Sequence, residues 1–259
     1  METPINLEEW FGGIDIYLFD QLLKGRFAPW MRVLDAGCGS GRNLVYFLRS
    51  GYEVFGVDES EAAIAQTRQL AASLQPQLPA ENFRVEPVEK MSFGNDPKRA
   101  LQIANTQDTG FDLVLSSAVL HFARDEQQWQ AMVNEMWRVL KPGGICYLGV
   151  PNRYWPMEPH YRLLLLSWLP RSLANWYLRL AGKGTSYPEQ LPSYWSIRRL
   201  SRRFAIKDLT AELLKTPELF FPDDPALLSQ ARKLKWLPKW LLKILIPAVP
   251  SWVLILRKE

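Results

Sequence analysis

Val33-Leu34-Asp35-Ala36-Gly37-Cys38-Gly39-Ser40-Gly41-Arg42-Asn43 is the stretch on which the reading of this fold turns. An apolar run ends in an acid, glycines follow at alternate positions, and helical spacing resumes from Arg42 to Arg49. The pattern predicts a buried strand, Met31–Asp35, that turns sharply into a helix. Glycines in such a turn adopt positive φ without steric cost and leave bare backbone that a ligand can approach. The N–H groups that open the following helix can hold a carboxylate or a phosphate. A second acid, Asp58, ends the next strand 21 residues after Gly37, a spacing at which a carboxylate can accept both hydroxyls of a ribose. The plain alternative is a tight strand-to-helix turn with its cap.

Outward from this turn, strands and helices alternate. Residues 7–28 carry apolar positions at Ile14, Leu18, Leu22 and Leu23 and predict one helix, ended by Pro29. Tyr52–Val57 reads as a second strand and residues 60–74 as a helix. Phe83–Glu86 and Phe111–Ser116 read as the third and fourth strands, separated by a long solvated loop from Gly94 to Gly110. Asp125–Leu140 is an amphipathic helix closed by Lys141-Pro142-Gly143-Gly144, and Ile145–Val150 is the fifth strand. This alternation predicts an α/β fold with a parallel, doubly wound sheet covered on both faces. Residues 151–194, rich in proline and tryptophan and holding Leu163–Leu166, break the rhythm as a helical insertion. Phe204–Leu209 and Trp252–Leu256 read as final strands, with a helix from Trp236 to Ile246 before the last.

Composition narrows the classes. With 259 residues, 47% of them hydrophobic, and a net charge of only +4, the chain is globular, not disordered. Cys38, Cys146, His121 and His160 are its only cysteines and histidines, which excludes a disulfide scaffold, makes a zinc site improbable and favours a reducing, cytoplasmic setting. No signal peptide is visible, and the longest uncharged stretch, Ile244–Leu256, has 13 residues and two prolines, short of the roughly 20 a spanning helix needs. Charge is divided: residues 1–150 carry a net −6, residues 151–259 a net +10 together with seven of the eleven tryptophans. That division suggests two jobs.

The dinucleotide fingerprint G-x-G-x-x-G does not fit, since Arg42 stands where its third glycine belongs. The segment resembles motif I of class I S-adenosylmethionine-dependent methyltransferases, of the small-molecule and quinone type. The resemblance continues through Val54-Phe55-Gly56-Val57-Asp58, Phe111–Ser117 and Trp137-Arg138-Val139-Leu140-Lys141-Pro142-Gly143-Gly144, over roughly residues 30–150. It implies a mostly parallel, seven-stranded Rossmann-like sheet with S-adenosylmethionine across the ends of the first, second and fourth strands. It implies one domain over 1–259: a helical segment (1–30), the cofactor-binding core (30–150), a substrate cap (151–195) and a part completing the sheet (196–259).

By the same resemblance, the loop of Gly37, Cys38, Gly39 and Gly41 faces the methionine part of the cofactor, Asp58 the ribose, and Glu59 flanks the adenine. Ser116 and Ser117 supply backbone contacts near the sulfonium. The Val88 N–H serves the adenine ring, and Glu89 replaces the acid that many relatives have where Pro87 stands. Cys38 is read as a small residue of a crowded turn, not a nucleophile. Two roles are open to Asp35: contact with the cofactor, or fastening the glycine turn by accepting its N–H groups.

His121, Glu158 and His160 are the candidate catalytic residues. His121 follows the fourth strand and is either a base or the cap of its own turn. Glu158 and His160 lie in Pro151–His160, which is either a substrate lid or a locked proline-rich loop. Ser116-Ser117-Ala118-Val119 replaces the Asn/Asp-Pro-Pro-aromatic signature of many nucleic-acid and amide N-methyltransferases, so a nucleic-acid acceptor is disfavoured. Tryptophan beside Lys/Arg on apolar segments suits an amphiphilic, lipid-like acceptor or peripheral contact with anionic lipid at a membrane's inner face, through 160–180 or 232–246; packing on the sheet is the alternative. No metal is expected. A nicotinamide-dependent oxidoreductase and a non-catalytic cofactor-binding protein are the alternative functions.

Overall fold

The computed structural model describes residues 7–93, 110–158, 160–210 and 246–259. The loop expected over Gly94–Gly110 and the helix expected over Trp236–Ile246 fall outside these residues except at Gly110 and Ile246.

Seven strands form one sheet in the order β3-β2-β1-β4-β5-β7-β6. They are β1 (Arg32–Ala36), β2 (Glu53–Asp58), β3 (Phe83–Val85), β4 (Phe111–Ser117), β5 (Leu140–Pro151), β6 (Phe204–Asp208) and β7 (Ser251–Lys258). The first five are parallel to one another, and β7 runs antiparallel between β5 and β6. The expected doubly wound sheet is present. β5 begins five residues early because Lys141–Gly144, expected to be a turn, already belongs to the strand; the register shift between Phe111 and Leu113 absorbs it.

Side chains alternate across the sheet. Leu34, Phe55, Val114, Leu148 and Trp252 enter one core, and Val33, Val54, Leu113, Leu115 and Tyr147 the other. Helix α5 (Glu126–Val139) covers the first core with Trp129, Met132, Val133, Met136 and Val139, a helical stripe. Asp125 caps it by accepting the Gln128 N–H at 2.8 Å. On the other side, α4 (Glu61–Leu74) buries Ile64, Thr67 and Ala71, with Ser60 as its cap.

The single helix expected over 7–28 is two, α1 (Leu7–Phe11) and α2 (Ile16–Leu23). Gly12 lies at φ +59° and Asp15 caps α2, so the chain bends where two glycines remove helix propensity. The helix after the glycine turn is also shorter than expected: α3 spans only Val45–Arg49. The insertion contains a bridge between Met157 and Leu164, and α6 (Arg171–Leu180); α7 (Tyr194–Leu200) leads to β6. β1 pairs with β2 on one side and β4 on the other, so the carboxyl ends of these strands flank the switch point where open α/β sheets bind ligands.

Candidate active site

The glycine turn is held from both flanks. The N–H groups of Gly37 and Cys38 both donate to the Val57 carbonyl, at 2.8 and 2.9 Å, and Gly39 donates to Asp58 Oδ2 at 2.9 Å. Thr67 of α4 donates its hydroxyl to the Gly39 carbonyl at 2.7 Å. At Gly37, φ is +86° and an added Cβ would stand 2.6 Å from both methyls of Val119, so the loop leaving β4 closes on bare backbone. At Gly39, φ is +52° and an added Cβ would meet nothing within 4 Å. The turn thus offers one backbone edge to open space.

Asp58, not Asp35, fastens this turn. Its Oδ2 takes the Gly39 N–H and its Oδ1 the Ser60 N–H at 2.9 Å; each oxygen keeps further acceptor capacity. Asp35 is 2% exposed, and its carboxyl receives no hydrogen bond from the described residues. Burial pushes its carboxyl up to about 7, against the pull of Arg42 and with the added push of Asp58. Cys38 is buried, and burial with the nearby Asp35 and Asp58 raises its thiol far above the ordinary value, which leaves it inert.

At the end of β4, the Ser116 hydroxyl is fully buried without a partner among the described residues, while Ser117 donates to Asp15 Oδ2 at 2.7 Å. Val88 opens a short turn, Val88–Lys90, brought beside Asp58 by the Glu86 N–H on the Asp58 carbonyl. Glu89 accepts from Gln128 of α5 at 2.7 Å, so one of its oxygens is committed to that helix, and Glu59 is exposed. An open glycine edge, a strand-end carboxylate held by backbone, an unpartnered buried hydroxyl and a buried carboxyl suit a ligand with ribose hydroxyls and a charged amino-acid end. S-Adenosylmethionine fits these residues.

His121 comes to lie beside Glu158 and His160, which are distant from it in sequence. Glu158 is wholly buried; its Oε1 lies 3.1 Å from His160 Nδ1, and its Oε2 accepts the Tyr161 N–H at 2.6 Å. The Glu158 carboxylate holds the His160 imidazolium above its usual range. The His121 ring lies 4.7 Å from the His160 ring, centre to centre. His121 is fully buried, neither ring nitrogen has a partner among the described residues, and burial with the neighbouring His160 pushes it down to about 3. It therefore caps no turn.

His160 lines a cleft of about 200 Å³ together with Asp15, Tyr17, Arg42, Ser117 and Trp252. Asp15, which sequence reasoning missed, accepts from Tyr17 N–H (2.9 Å), Leu18 N–H (3.3 Å), Tyr147 hydroxyl (3.0 Å) and Ser117 hydroxyl (2.7 Å), and donates its own N–H to Asn43 (2.9 Å). The acid before an apolar helical run was its only sequence signal. Glu189 and Tyr187 were missed as well. They stand near Glu158, and the Gln190 N–H donates to the His121 carbonyl at 2.8 Å; no local pattern announces them.

The tryptophans divide. Trp252 is buried and donates to the Ile246 carbonyl, whereas Trp168, Trp176 and Trp195 are exposed. Trp236 and Trp240 lie outside the described residues. Among the described residues no group of His, Cys, Asp and Glu could hold a metal ion, and no helix is long and apolar enough to cross a membrane.

Residues 33–144 match the family model described as a methyltransferase domain. A ubiquinone biosynthesis O-methyltransferase of Bradyrhizobium sp. (strain ORS 278) is 30% identical over 152 residues, 56% of this chain and 51% of that protein. An uncharacterized methyltransferase of Synechocystis sp. is 31% identical over 134 residues, 50% of this chain and 53% of that one. The chain spans about half the length of the curated relatives it matches. Among solved structures, an S-adenosylmethionine-dependent methyltransferase from Methanosarcina mazei superposes with a TM-score of 0.55 at 20% identity, covering 92% of this chain and 96% of that one. Magnesium protoporphyrin IX methyltransferase from Synechocystis with bound S-adenosylhomocysteine gives 0.53 at 13%, covering 100% and 90%. At such identities these structures speak to the fold.

Proposed function

We infer that this chain, whose residues 33–144 match a methyltransferase domain, is a class I S-adenosylmethionine-dependent methyltransferase that methylates a small, lipid-like acceptor at an atom that must lose a proton. The observation that carries this reading is the Glu158–His160 pair, 3.1 Å apart, at the wall of the cleft where β4 ends. Bound S-adenosylmethionine would supply a methyl group activated on a sulfonium. The chain's part is to align, exclude water and take the acceptor's proton. With Nδ1–H donated to the buried Glu158 carboxylate, His160 keeps Nε2 free to accept that proton, and Glu158 holds the resulting imidazolium. His160 is the base. His121 packs beside it as a neutral ring, since a group held near 3 is too weakly basic.

For the cofactor, Asp58 holds the ribose while Ser116, Ser117 and the open Gly39 edge receive the methionine part; the Val88 N–H and the free oxygen of Glu89 serve the adenine, with Glu59 on its flank. Asp58→Ala should weaken S-adenosylhomocysteine binding by about 1.5–3 kcal/mol, through lost ribose bonds and a loosened glycine turn. Calorimetry tests this, with NADH alongside. An unchanged affinity removes Asp58 from the site, and binding of NADH alone removes the methyltransferase reading.

The insertion supports this acceptor class and a place of work. On α6, Ala174 and Leu178 face inward, while Leu173, Trp176 and Leu180 form an outward stripe, each more than half exposed. From His160 to Pro188 there are four Arg or Lys and no acid. Tryptophan and leucine beside cations match the interface of an anionic bilayer, where each cation contributes roughly 1 kcal/mol. The cap at 151–195 then meets the membrane, the acceptor enters from it, and the protein works peripherally at the cytoplasmic face. Co-sedimentation should show binding to anionic vesicles at low salt, release at high salt, and none to neutral vesicles. A Leu173→Ser, Trp176→Ser variant should lose it. Protein left in the supernatant with anionic vesicles at low salt defeats the membrane contact.

A further inference from the structure

A second cavity, of about 390 Å³, adjoins the cleft that His160 lines. Pro151 and Ser251 line both, and the base pair divides between them, with His160 on the first and Glu158 on the second. Trp155, Met157 and Pro250 make the rest of the second cavity largely apolar. Its charged residues are Glu158 and Arg162. Glu158 is already spent: one oxygen faces His160 Nδ1 at 3.1 Å and the other accepts the Tyr161 N–H at 2.6 Å. Arg162 is exposed and makes no ion pair among the described residues.

The backbone at Arg162 adds a second observation. The chain folds back on itself here: Met157 bridges to Leu164, the Glu158 N–H donates to the Leu163 carbonyl at 3.0 Å, and the Arg162 N–H donates to the Glu158 carbonyl at 2.9 Å. Within that hairpin Arg162 lies at φ +52°. Glycine adopts this left-handed conformation without steric cost, whereas a residue with a Cβ resists it. An arginine there works against the turn, so its use lies in the guanidinium. Of the four Arg and Lys between His160 and Pro188, Arg162 is the one that lines this cavity.

The geometry points to Arg162 as the residue that selects the acceptor, by receiving an oxyanion (a carboxylate or a phosphate) that the acceptor carries apart from the atom it methylates; the inference rests on the acceptor reading above. The acceptor then lies across the Glu158–His160 pair. Its reacting atom faces His160 in the first cavity, its apolar body lies against Trp155 and Met157, and its anion meets the guanidinium. A planar guanidinium holds either oxyanion by two parallel N–H bonds, a contact that lysine cannot reproduce. An acid-bearing amphiphile fits this arrangement, whereas a neutral lipid leaves the guanidinium unanswered.

A lipid extract split on an anion exchanger tests it, with a labelled methyl group as the readout. The retained, anionic fraction should accept the methyl group and the flow-through should not. The labelled product should itself be retained, because the anion is not the reacting group, and its mass spectrum tells carboxylate from phosphate. Arg162→Gly relieves the backbone, so its urea midpoint should equal or exceed that of wild type. Its KM for the anionic fraction should rise about ten- to a hundredfold, the range of a charge-assisted contact, with kcat within a few-fold and S-adenosylhomocysteine affinity unchanged. Arg162→Lys should recover part of the loss. Label from the flow-through, or an unchanged KM in Arg162→Gly with or without a loss of binding to anionic vesicles, overturns the anion site and leaves the methyltransferase reading standing. No label from either fraction overturns the acceptor reading with it, and failure to bind S-adenosylhomocysteine as well overturns the methyltransferase reading.

Discussion

His160→Gln should slow methyl transfer about 10²–10⁴-fold in a single turnover while leaving S-adenosylhomocysteine affinity within a few-fold of wild type, because the base acts on the acceptor. The assay follows a labelled methyl group into a lipid extract. His121→Phe, which keeps a ring against His160, should hold the rate near wild type. Loss of rate in His121→Phe but not in His160→Gln would reverse the assignment. The pH profile gives an independent reading. Glu158 raises the His160 imidazole, so the protonated, inactive form persists to higher pH and the acid limb lies above the ordinary imidazole value of about 6.5. Glu158→Gln removes the opposing charge, which moves that limb to lower pH and reduces the maximal rate. A limb that stays in place would leave Glu158 without a positioning role.

The second large effect concerns Asp35, where stability and binding pull in opposite directions. Its carboxyl rises from 3.8 to about 7 on folding. Below about pH 4 both states hold the proton and nothing is lost; above about 7 the folded state bears an uncompensated buried charge. Integrated over that window, the cost is on the order of 4 kcal/mol. Asp35→Asn should therefore stabilise the ligand-free protein at pH 8 by about 2–4 kcal/mol and change little at pH 4, as read by urea unfolding. Binding should move the other way. An ammonium beside Asp35 favours the carboxylate, so affinity for S-adenosylhomocysteine should rise about tenfold per pH unit below 7 and level off above it. Asp35→Asn should bind weakly and without that pH dependence. Equal stability of both proteins at both pH values would mean that Asp35 is not held protonated by burial.

Much of the cofactor side is legible in the sequence. The glycine turn, Asp58 and the alternation of strands and helices are local patterns, and local patterns dictate backbone conformation directly. Asp35 is legible as a site residue but not in its role: which acid fastens the turn depends on the distance between β1 and β2, and Asp58 on the neighbouring strand reaches Gly39. The short α3 and the bend at Gly12 are not legible, because one apolar period covers both a continuous helix and two broken ones.

The acceptor side belongs to tertiary structure. Glu158 and His160 stand out in the sequence only as members of a polar loop, and His121 only as a residue of the segment that follows the fourth strand. Nothing in their spacing says that two rings 39 residues apart lie tilted against each other with centres 4.7 Å apart, or that Asp15, 102 residues from Ser117, accepts its hydroxyl proton. Such contacts arise where the insertion folds back over the carboxyl ends of the strands, and their energies depend on burial, which belongs to the packed chain. The sequence alone therefore determined the sheet, the turn and the kind of ligand the turn accepts, because φ, hydrophobic period and strand-end charge are properties of neighbouring residues. Only the tertiary structure decided which imidazole sits against a buried carboxylate, which carboxyl is buried without a donor, and which cation faces the cleft, because each is set by desolvation and by partners brought together in the packed chain.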